Sequence, residues 1–205
     1  MTKHFDFTEF LKKFEAKGKA LYGEKYQIEN CDLLVLEKML AYFDCNEEKA
    51  AELNVDFAKG VMLIGKIGVG KTSAMRVFRE FLRSDAKYII RPCREVAFEF
   101  LSNGTDTLFR YTEKWGDKNK HPKDYCFDDL GLESKSNYFG NNVNVMREII
   151  LSRYDLYVSR GLLTHFTSNL NASQITEMYG NEVRSRLREM CNIIPFDTTI
   201  EDNRK

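Results

Sequence analysis

Residues 65–72 carry the most recognisable chemistry in this chain, because their types and spacing match the G-x-x-x-x-G-K-[ST] pattern of a phosphate-binding loop. Glycines in such a loop let backbone N–H groups approach a polyphosphate closely. The lysine can reach the β- and γ-phosphates, and the threonine hydroxyl is an expected Mg²⁺ ligand. The residues predicted to bind the triphosphate are Gly65, Lys66, Ile67, Gly68, Val69, Gly70, Lys71, Thr72 and Ser73.

The sequence on either side of this loop supports the same interpretation. Residues 61–64 form a short apolar run that is typical of a strand, and residues 73–82 have the pattern of a helix. A helix that starts at the loop would direct its free N–H groups and positive dipole end at the phosphates. The alternative is a glycine-rich turn that joins a strand to a helix and binds no ligand.

A pair of carboxylates follows a second apolar run, about 55 residues after the loop. Residues 125–127 are followed directly by Asp128 and Asp129. At the carboxyl end of a strand beside the loop, Asp128 can hold Mg²⁺ and Asp129 can orient a water for attack on the γ-phosphate. The alternative is an ordinary strand end or helix cap. Because Asp is shorter than Glu, we expect hydrolysis to be slow.

A third apolar run ends in the polar residues Thr167, Ser168 and Asn169. Asn169, or one of its two neighbours, could donate a hydrogen bond to the γ-phosphate or to the attacking water. The alternative is that Asn169 caps the helix that follows.

Residues 181–190 form an arginine-rich helical stretch. Arg184 and Arg188 are one turn apart and share a face, whereas Arg186 points in roughly the opposite direction. An arginine that reaches the γ-phosphate of a neighbouring subunit would neutralise charge that develops during hydrolysis. The alternative is a solvated basic face.

Composition narrows the possible classes. The 205 residues carry no formal net charge, which gives no global argument for nucleic acid or membrane partners. No apolar run is long enough to span a bilayer, and the amino terminus lacks the apolar core of a signal peptide. The five cysteines include no C-x-x-C pair and the three histidines show no ligand spacing, so neither a zinc site nor a disulfide framework is indicated. We expect a cytoplasmic protein with free thiols.

Hydrophobic periodicity predicts two parts, a helical amino-terminal segment at 1–57 that could contact a partner and a phosphate-loop ATPase domain at 58–205. In the second part, short apolar strands alternate with amphipathic helices, which predicts an α/β fold with a parallel sheet between helices. The predicted strands are 61–64, 88–91, 124–127, 162–167 and 192–196. The predicted helices are 71–83, 93–102, 142–159, 171–179 and 181–190. Residues 134–142 are predicted to form a loop.

The order of these motifs resembles the DnaC/DnaI/IstB group of AAA+ ATPases, which are replicative helicase loaders and transposition helpers. The resemblance covers about residues 57–197. It is carried by the phosphate loop, the D-D-L-G segment at 128–131 with Glu133, the T-S-N segment at 167–169 and the S-R-L segment at 185–187.

This resemblance implies roles for individual residues. Lys71 and Thr72 would form Walker A, Asp128 and Asp129 Walker B, and Asn169 sensor 1. Arg186 would be the arginine finger, with Arg184 as second choice.

At the level of the whole protein, the resemblance implies a five-stranded parallel sheet with little or no lid domain. It also implies self-association through the nucleotide interface, a helicase or transposase as partner, and single-stranded DNA as a further ligand.

The leading hypothesis is an ATP-dependent molecular switch that uses ATP and Mg²⁺. ATP is favoured over GTP only because no N-K-x-D motif is present. The alternatives are a non-hydrolysing ATP-binding adaptor and a small-molecule kinase built on the same loop. Phe109, Tyr111 and Trp115, beside Arg110 and Lys114, are candidates for a surface on which DNA bases stack.

Overall fold

The computed structural model describes residues 6–29, 32–112, 123–133, 136–138 and 141–196. The helices are α1 (Phe7–Tyr22), α2 (Leu33–Phe43), α3 (Glu47–Leu53), α4 (Lys71–Arg79), α5 (Cys93–Asn103), α6 (Thr105–Thr112), α7 (Val145–Arg160) and α8 (Ala172–Met190). The strands are β1 (Gly60–Ile64), β2 (Ile89–Pro92), β3 (Tyr125–Leu130), β4 (Ser136–Tyr138), β5 (Asn141–Val143), β6 (Thr164–Ser168) and β7 (Cys191–Pro195).

Five of these strands form one parallel sheet in the order β2-β3-β6-β1-β7. The predicted α/β class and each of the five predicted strands are therefore confirmed, and no strand end is shifted by more than three residues. Because all five strands run the same way, the carboxyl ends of β1, β3 and β6 lie at one edge of the sheet. The phosphate loop follows β1, the acid pair lies in the last part of β3, and Asn169 follows β6.

Each face of the sheet is covered by its own layer of helices. Alternation along β1 directs Met62 to one apolar cluster and Val61 and Leu63 to the other. The first cluster contains side chains of α5, α6, α7 and α8, and the second contains side chains of α1, α2 and α4. Full burial of a large apolar side chain stabilises the fold by roughly 1.5–3 kcal/mol, so both layers matter for stability.

The amino-terminal helices belong to the second of these layers. Phe10 and Phe14 of α1 are almost fully buried, and both rings pack on Phe78 of α4 at centroid distances of 5.5 and 4.9 Å. Leu36 and Met39 of α2 lie in the same cluster. The helical character predicted for 1–57 agrees with α1, α2 and α3, while the domain boundary and the partner contact stay predictions.

Two predicted features differ from the structure. Residues 136–138 and 141–143 pair as antiparallel strands, and all of them except Val143 lie in the stretch predicted to be a loop. The prediction missed them because backbone pairing does not depend on an apolar pattern. The helices predicted at 171–179 and 181–190 form one element, α8, whose only non-helical residue is Gly180, at φ 92° and ψ 164°. Glycine permits this kink because it has no Cβ.

None of the helices in the described ranges is both long and apolar enough to cross a lipid bilayer.

Candidate functional site

The phosphate loop joins β1 to α4 in a conformation that depends on its glycines. Gly68 and Gly70 have positive φ angles of 91° and 89°, and Gly70 is the N-cap of α4. The start of the loop is tied to the sheet by the N–H of Gly65, which donates to the Ser168 carbonyl at 3.2 Å. The first N–H groups of α4 therefore open toward the edge of the sheet, where an anion can accept their hydrogen bonds.

Lys71 is 4% exposed and its ammonium group is held at the centre of this edge. Nζ donates to the carbonyls of Gly65 and Lys66, at 2.8 and 2.7 Å, and to Oδ1 of Asn169 at 2.6 Å. A lysine ammonium can only donate, so the atom of Asn169 that faces it must be the oxygen. The contact therefore fixes the orientation of the Asn169 amide and leaves its NH₂ group for another acceptor.

Asp128 lies next to the loop at the end of β3 and is 4% exposed. One carboxylate oxygen, Oδ1, accepts hydrogen bonds from the hydroxyls of Thr72 at 2.8 Å and Thr167 at 2.6 Å. The Thr72 hydroxyl and the Asp128 carboxylate were predicted separately as Mg²⁺ ligands, and they are in direct contact.

These oxygen groups suit Mg²⁺, which takes oxygen ligands and keeps several waters. Within the described ranges, no group of three or more His, Cys, Asp or Glu side chains could hold a metal ion. Thr72 and Asp128, which are in contact, would hold such an ion, since Mg²⁺ commonly takes its other ligands from water and substrate phosphates.

A cavity of about 450 Å³ borders these residues. Its wall includes Gly68, Val69, Gly70, Lys71, Thr72 and Ser73 of the loop region, together with Asp129 and Asn169. Of the other predicted loop residues, Gly65 and Lys66 contribute the carbonyls that hold Lys71. Ile67 is half exposed and does not line the cavity.

The opposite wall of the cavity comes from the amino-terminal segment, which the sequence did not indicate. Residues 25–29 and Asp32, between α1 and α2, line it together with Phe14, Leu36 and Phe196. This connection is about 40 residues from the loop in sequence and has no motif, so only the packing of α1 and α2 on the sheet reveals it. At about 450 Å³, the cavity lies in the size range of small-molecule binding sites.

A known helicase loader has this fold. The crystal structure of the DnaC helicase loader matches with a TM-score of 0.52 and 18% sequence identity, over 91% of this chain and 99% of that one. The match shows that the two proteins share a fold, and it agrees with the predicted α/β class with a parallel sheet between helices. No family model matches the chain, and no curated protein matches it.

Glu133 is a second group that sequence reasoning left without a role. It is 5% exposed, its Oε2 accepts the Gly131 N–H at 2.9 Å, and its Oε1 accepts the hydroxyl of Tyr179. Burial raises the pKa of the Glu133 carboxyl. Since Tyr179 is the residue before the Gly180 kink of α8, this contact joins the turn after the acid pair to the arginine-rich half of that helix.

Arg186 does not line the cavity of its own chain. Its guanidinium lies 4.3 Å from the centroid of the Tyr154 ring, Nη1 donates to the Tyr154 hydroxyl at 3.1 Å, and Glu189 is 3.6 Å away. Arg184 and Arg188 border a separate apolar groove of about 220 Å³. The two directions expected from the sequence agree with these positions, and the finger role of Arg186 stays a prediction.

The predicted DNA-stacking surface is wrong for Tyr111. This ring is 3% exposed, and its hydroxyl donates to Glu99 at 2.9 Å. Arg110 pairs with the same carboxylate at 3.3 Å, and Phe109 is 45% exposed. The spacing of the aromatic residues could not distinguish the buried face of α6 from its exposed face. Lys114 and Trp115 lie outside the described residues.

Proposed function

We propose that this protein is an ATP-binding molecular switch of the helicase-loader type that hydrolyses ATP slowly. One observation carries the proposal. Three sequence motifs that are far apart in the chain meet in one hydrogen-bonded arrangement beside one cavity, with Lys71 bonded to Asn169 and Thr72 bonded to Asp128. A loop that only joined a strand to a helix would not need a buried lysine and a buried carboxylate at that edge.

Each residue has a distinct role in the proposed reaction. The loop N–H groups and Lys71 bind the phosphates, and the amide NH₂ of Asn169 donates to the γ-phosphate. Asp129, in the cavity wall, orients the attacking water and accepts its proton. Thr72 and Asp128 would hold Mg²⁺, which supplies positive charge beside the phosphates when it is bound.

The switch itself is proposed to work between subunits. Arg186 of one copy would approach the γ-phosphate bound to the next, so that hydrolysis removes a charge-assisted contact across the interface. A replicative helicase or transposase is the proposed protein partner, single-stranded DNA a further ligand, and the cytoplasm the proposed location. The fold shared with a helicase loader supports this assignment over other P-loop functions.

A non-hydrolysing adaptor is the second candidate, and two observations favour it. Asp129 has a shorter side chain than the glutamate that often follows the metal-binding acid, and Arg186 is engaged with Tyr154 in its own chain. The kinase alternative has no comparable support, because Arg184 and Arg188 border a groove separate from the cavity.

The test is the rate of phosphate release from MgATP as a function of protein concentration. We expect the rate per subunit to rise with concentration, Lys71→Ala to lose ATP binding, and Arg186→Ala to bind ATP but turn over slowly. A mixture of the two variants should partly recover activity, because one supplies the finger and the other the nucleotide. Arg83→Ala is the control, since Arg83 is 85% exposed and pairs only with Asp85 among the described contacts.

Saturable ATP binding without phosphate release at any concentration would favour the adaptor. Absence of saturable ATP binding by the folded protein would remove both functions.

A further inference from the structure

Asp129, in the wall of the cavity beside the phosphate loop, has an unusual backbone conformation. Its φ is +56°, in the left-handed region that residues other than glycine rarely adopt. The pairing of β3 with β6 shifts register between Phe127 and Leu130, so the irregularity lies at the acid pair itself. Such local strain persists only where surrounding contacts hold it, and it concentrates at functional positions.

The buried hydroxyl of Thr167 contacts both residues of the acid pair and holds the backbone of Asp129. Thr167 of β6 is fully buried, and its Oγ1 accepts the backbone N–H of Asp129 at 2.8 Å. The same hydroxyl donates its proton to Oδ1 of Asp128 at 2.6 Å. A hydroxyl has one proton and two lone pairs, so both bonds can exist together. Because its only proton is used on Asp128, Thr167 does not serve as a donor to a phosphate in this arrangement.

The far side of the same turn is also anchored. The N–H of Leu132 donates to the Asp129 carbonyl at 3.1 Å, and the N–H of Gly131 donates to the buried Glu133 carboxylate at 2.9 Å. Hydrogen bonds to Thr167 on one side and to Glu133 on the other therefore hold the backbone on both sides of Asp129.

We propose that Thr167 is a positioning residue whose hydrogen bond holds, or locks, the backbone of Asp129 in the left-handed region. Because of this lock, the site requires aspartate rather than glutamate at position 129. This inference rests on the proposed nucleotide site and goes beyond it. Aspartate tolerates the left-handed region because its short polar side chain can bond locally, whereas a longer side chain is less well accommodated. Aspartate rather than the longer glutamate at position 129 then follows from the backbone conformation of this turn.

The first test compares Thr167→Val, which keeps the shape but removes the hydroxyl, with Thr167→Ser, which keeps the hydroxyl. Hydrogen exchange at the Asp129 amide is read by NMR in the protein without nucleotide. We expect exchange at least about tenfold faster in Thr167→Val and within about twofold of wild type in Thr167→Ser. Equal protection in wild type and Thr167→Val would overturn the lock.

Kinetics supply the functional reading. Thr167→Val should lower kcat for ATP about tenfold and leave KM within about twofold, since the phosphates are bound by other groups. Thr167→Ser should restore kcat. If Thr167→Ser is as slow as Thr167→Val, the methyl group rather than the hydroxyl matters and the inference is wrong.

Replacing the acid provides an independent variant. Asp129→Glu should turn over more slowly than wild type and unfold at a lower temperature. Asp129→Asn, which also tolerates the left-handed region, should keep the unfolding temperature while losing turnover. A faster Asp129→Glu with wild-type stability would contradict the requirement for aspartate. If wild type releases no phosphate, the proposed hydrolysis fails, while amide exchange and unfolding temperature still decide the lock.

Discussion

His165 gives the fold a defined weakness toward acid. The side chain is almost fully buried in β6, two residues before Thr167, and its Nδ1 accepts the Val61 N–H of β1 at 3.0 Å. The ring of Tyr88 packs on it at a centroid distance of 4.8 Å. A protonated imidazole would lose this acceptor and place a charge between the two strands that carry the phosphate loop and Asn169.

Burial, and secondly the charge of Arg153, lower the pKa of His165 from 6.5 to about 3. The size of the effect follows from this shift. Above pH 6.5 the folded and unfolded states are both neutral at this residue, and stability is unaffected. As the pH falls through 6.5, only the unfolded chain takes up a proton, so stability is lost until the folded state titrates near pH 3. The loss is about 2 kcal/mol at pH 5 and about 4 kcal/mol at pH 3.

The assay is urea unfolding of the wild type and of His165→Asn between about pH 7.5 and 5. Asparagine can accept the Val61 N–H through Oδ1 but cannot titrate, so subtracting its curve removes the contribution of other groups. These include Asp124, whose pKa burial raises and whose effect has the opposite sign. We expect the difference between the two proteins to shrink by about 2 kcal/mol at pH 5. Parallel curves would refute the reasoning.

Three further substitutions test other contacts. Asn169→Asp should weaken ATP binding at least about tenfold more than Asn169→Ala, measured with a fluorescent analogue, because a carboxylate would hold Lys71 and repel the γ-phosphate. Arg153→Met should lower the free energy of unfolding by about 3 kcal/mol in urea, since this buried guanidinium satisfies three backbone carbonyls and a threonine hydroxyl. Gly131→Ala should cost about 1–3 kcal/mol in thermal unfolding, because φ is +104° and a Cβ would lie 2.5 Å from a leucine side chain. Gly161→Ala, at φ +67° with nothing within 4 Å, should cost less.

The sheet could be predicted from sequence because its strands are short apolar runs, each ending at a polar or glycine-rich segment. The phosphate loop, the acid pair and Asn169 followed from their places after such runs. Parallel strands place those ends together, so the neighbourhood of the three motifs was predictable as well.

The features that were missed depend on contacts that no local hydrophobic pattern specifies. Residues 136–138 pair with 141–143 through their backbone in a polar, asparagine-rich stretch that has no apolar alternation. The double role of Thr167 depends on the register between β3 and β6, which no local pattern specifies. Burial of Tyr111 depends on which face of α6 meets the sheet.

The connection between α1 and α2 forms one wall of the cavity, and α1 packs through Phe10 and Phe14 onto the helix that follows the phosphate loop. A protein that drew α1 away from the sheet would therefore open the cavity on that side. Binding of a partner to α1 and binding of a ligand in the cavity would thus oppose each other. The factor by which the partner lowers the affinity for the ligand equals the factor by which the ligand lowers the affinity for the partner.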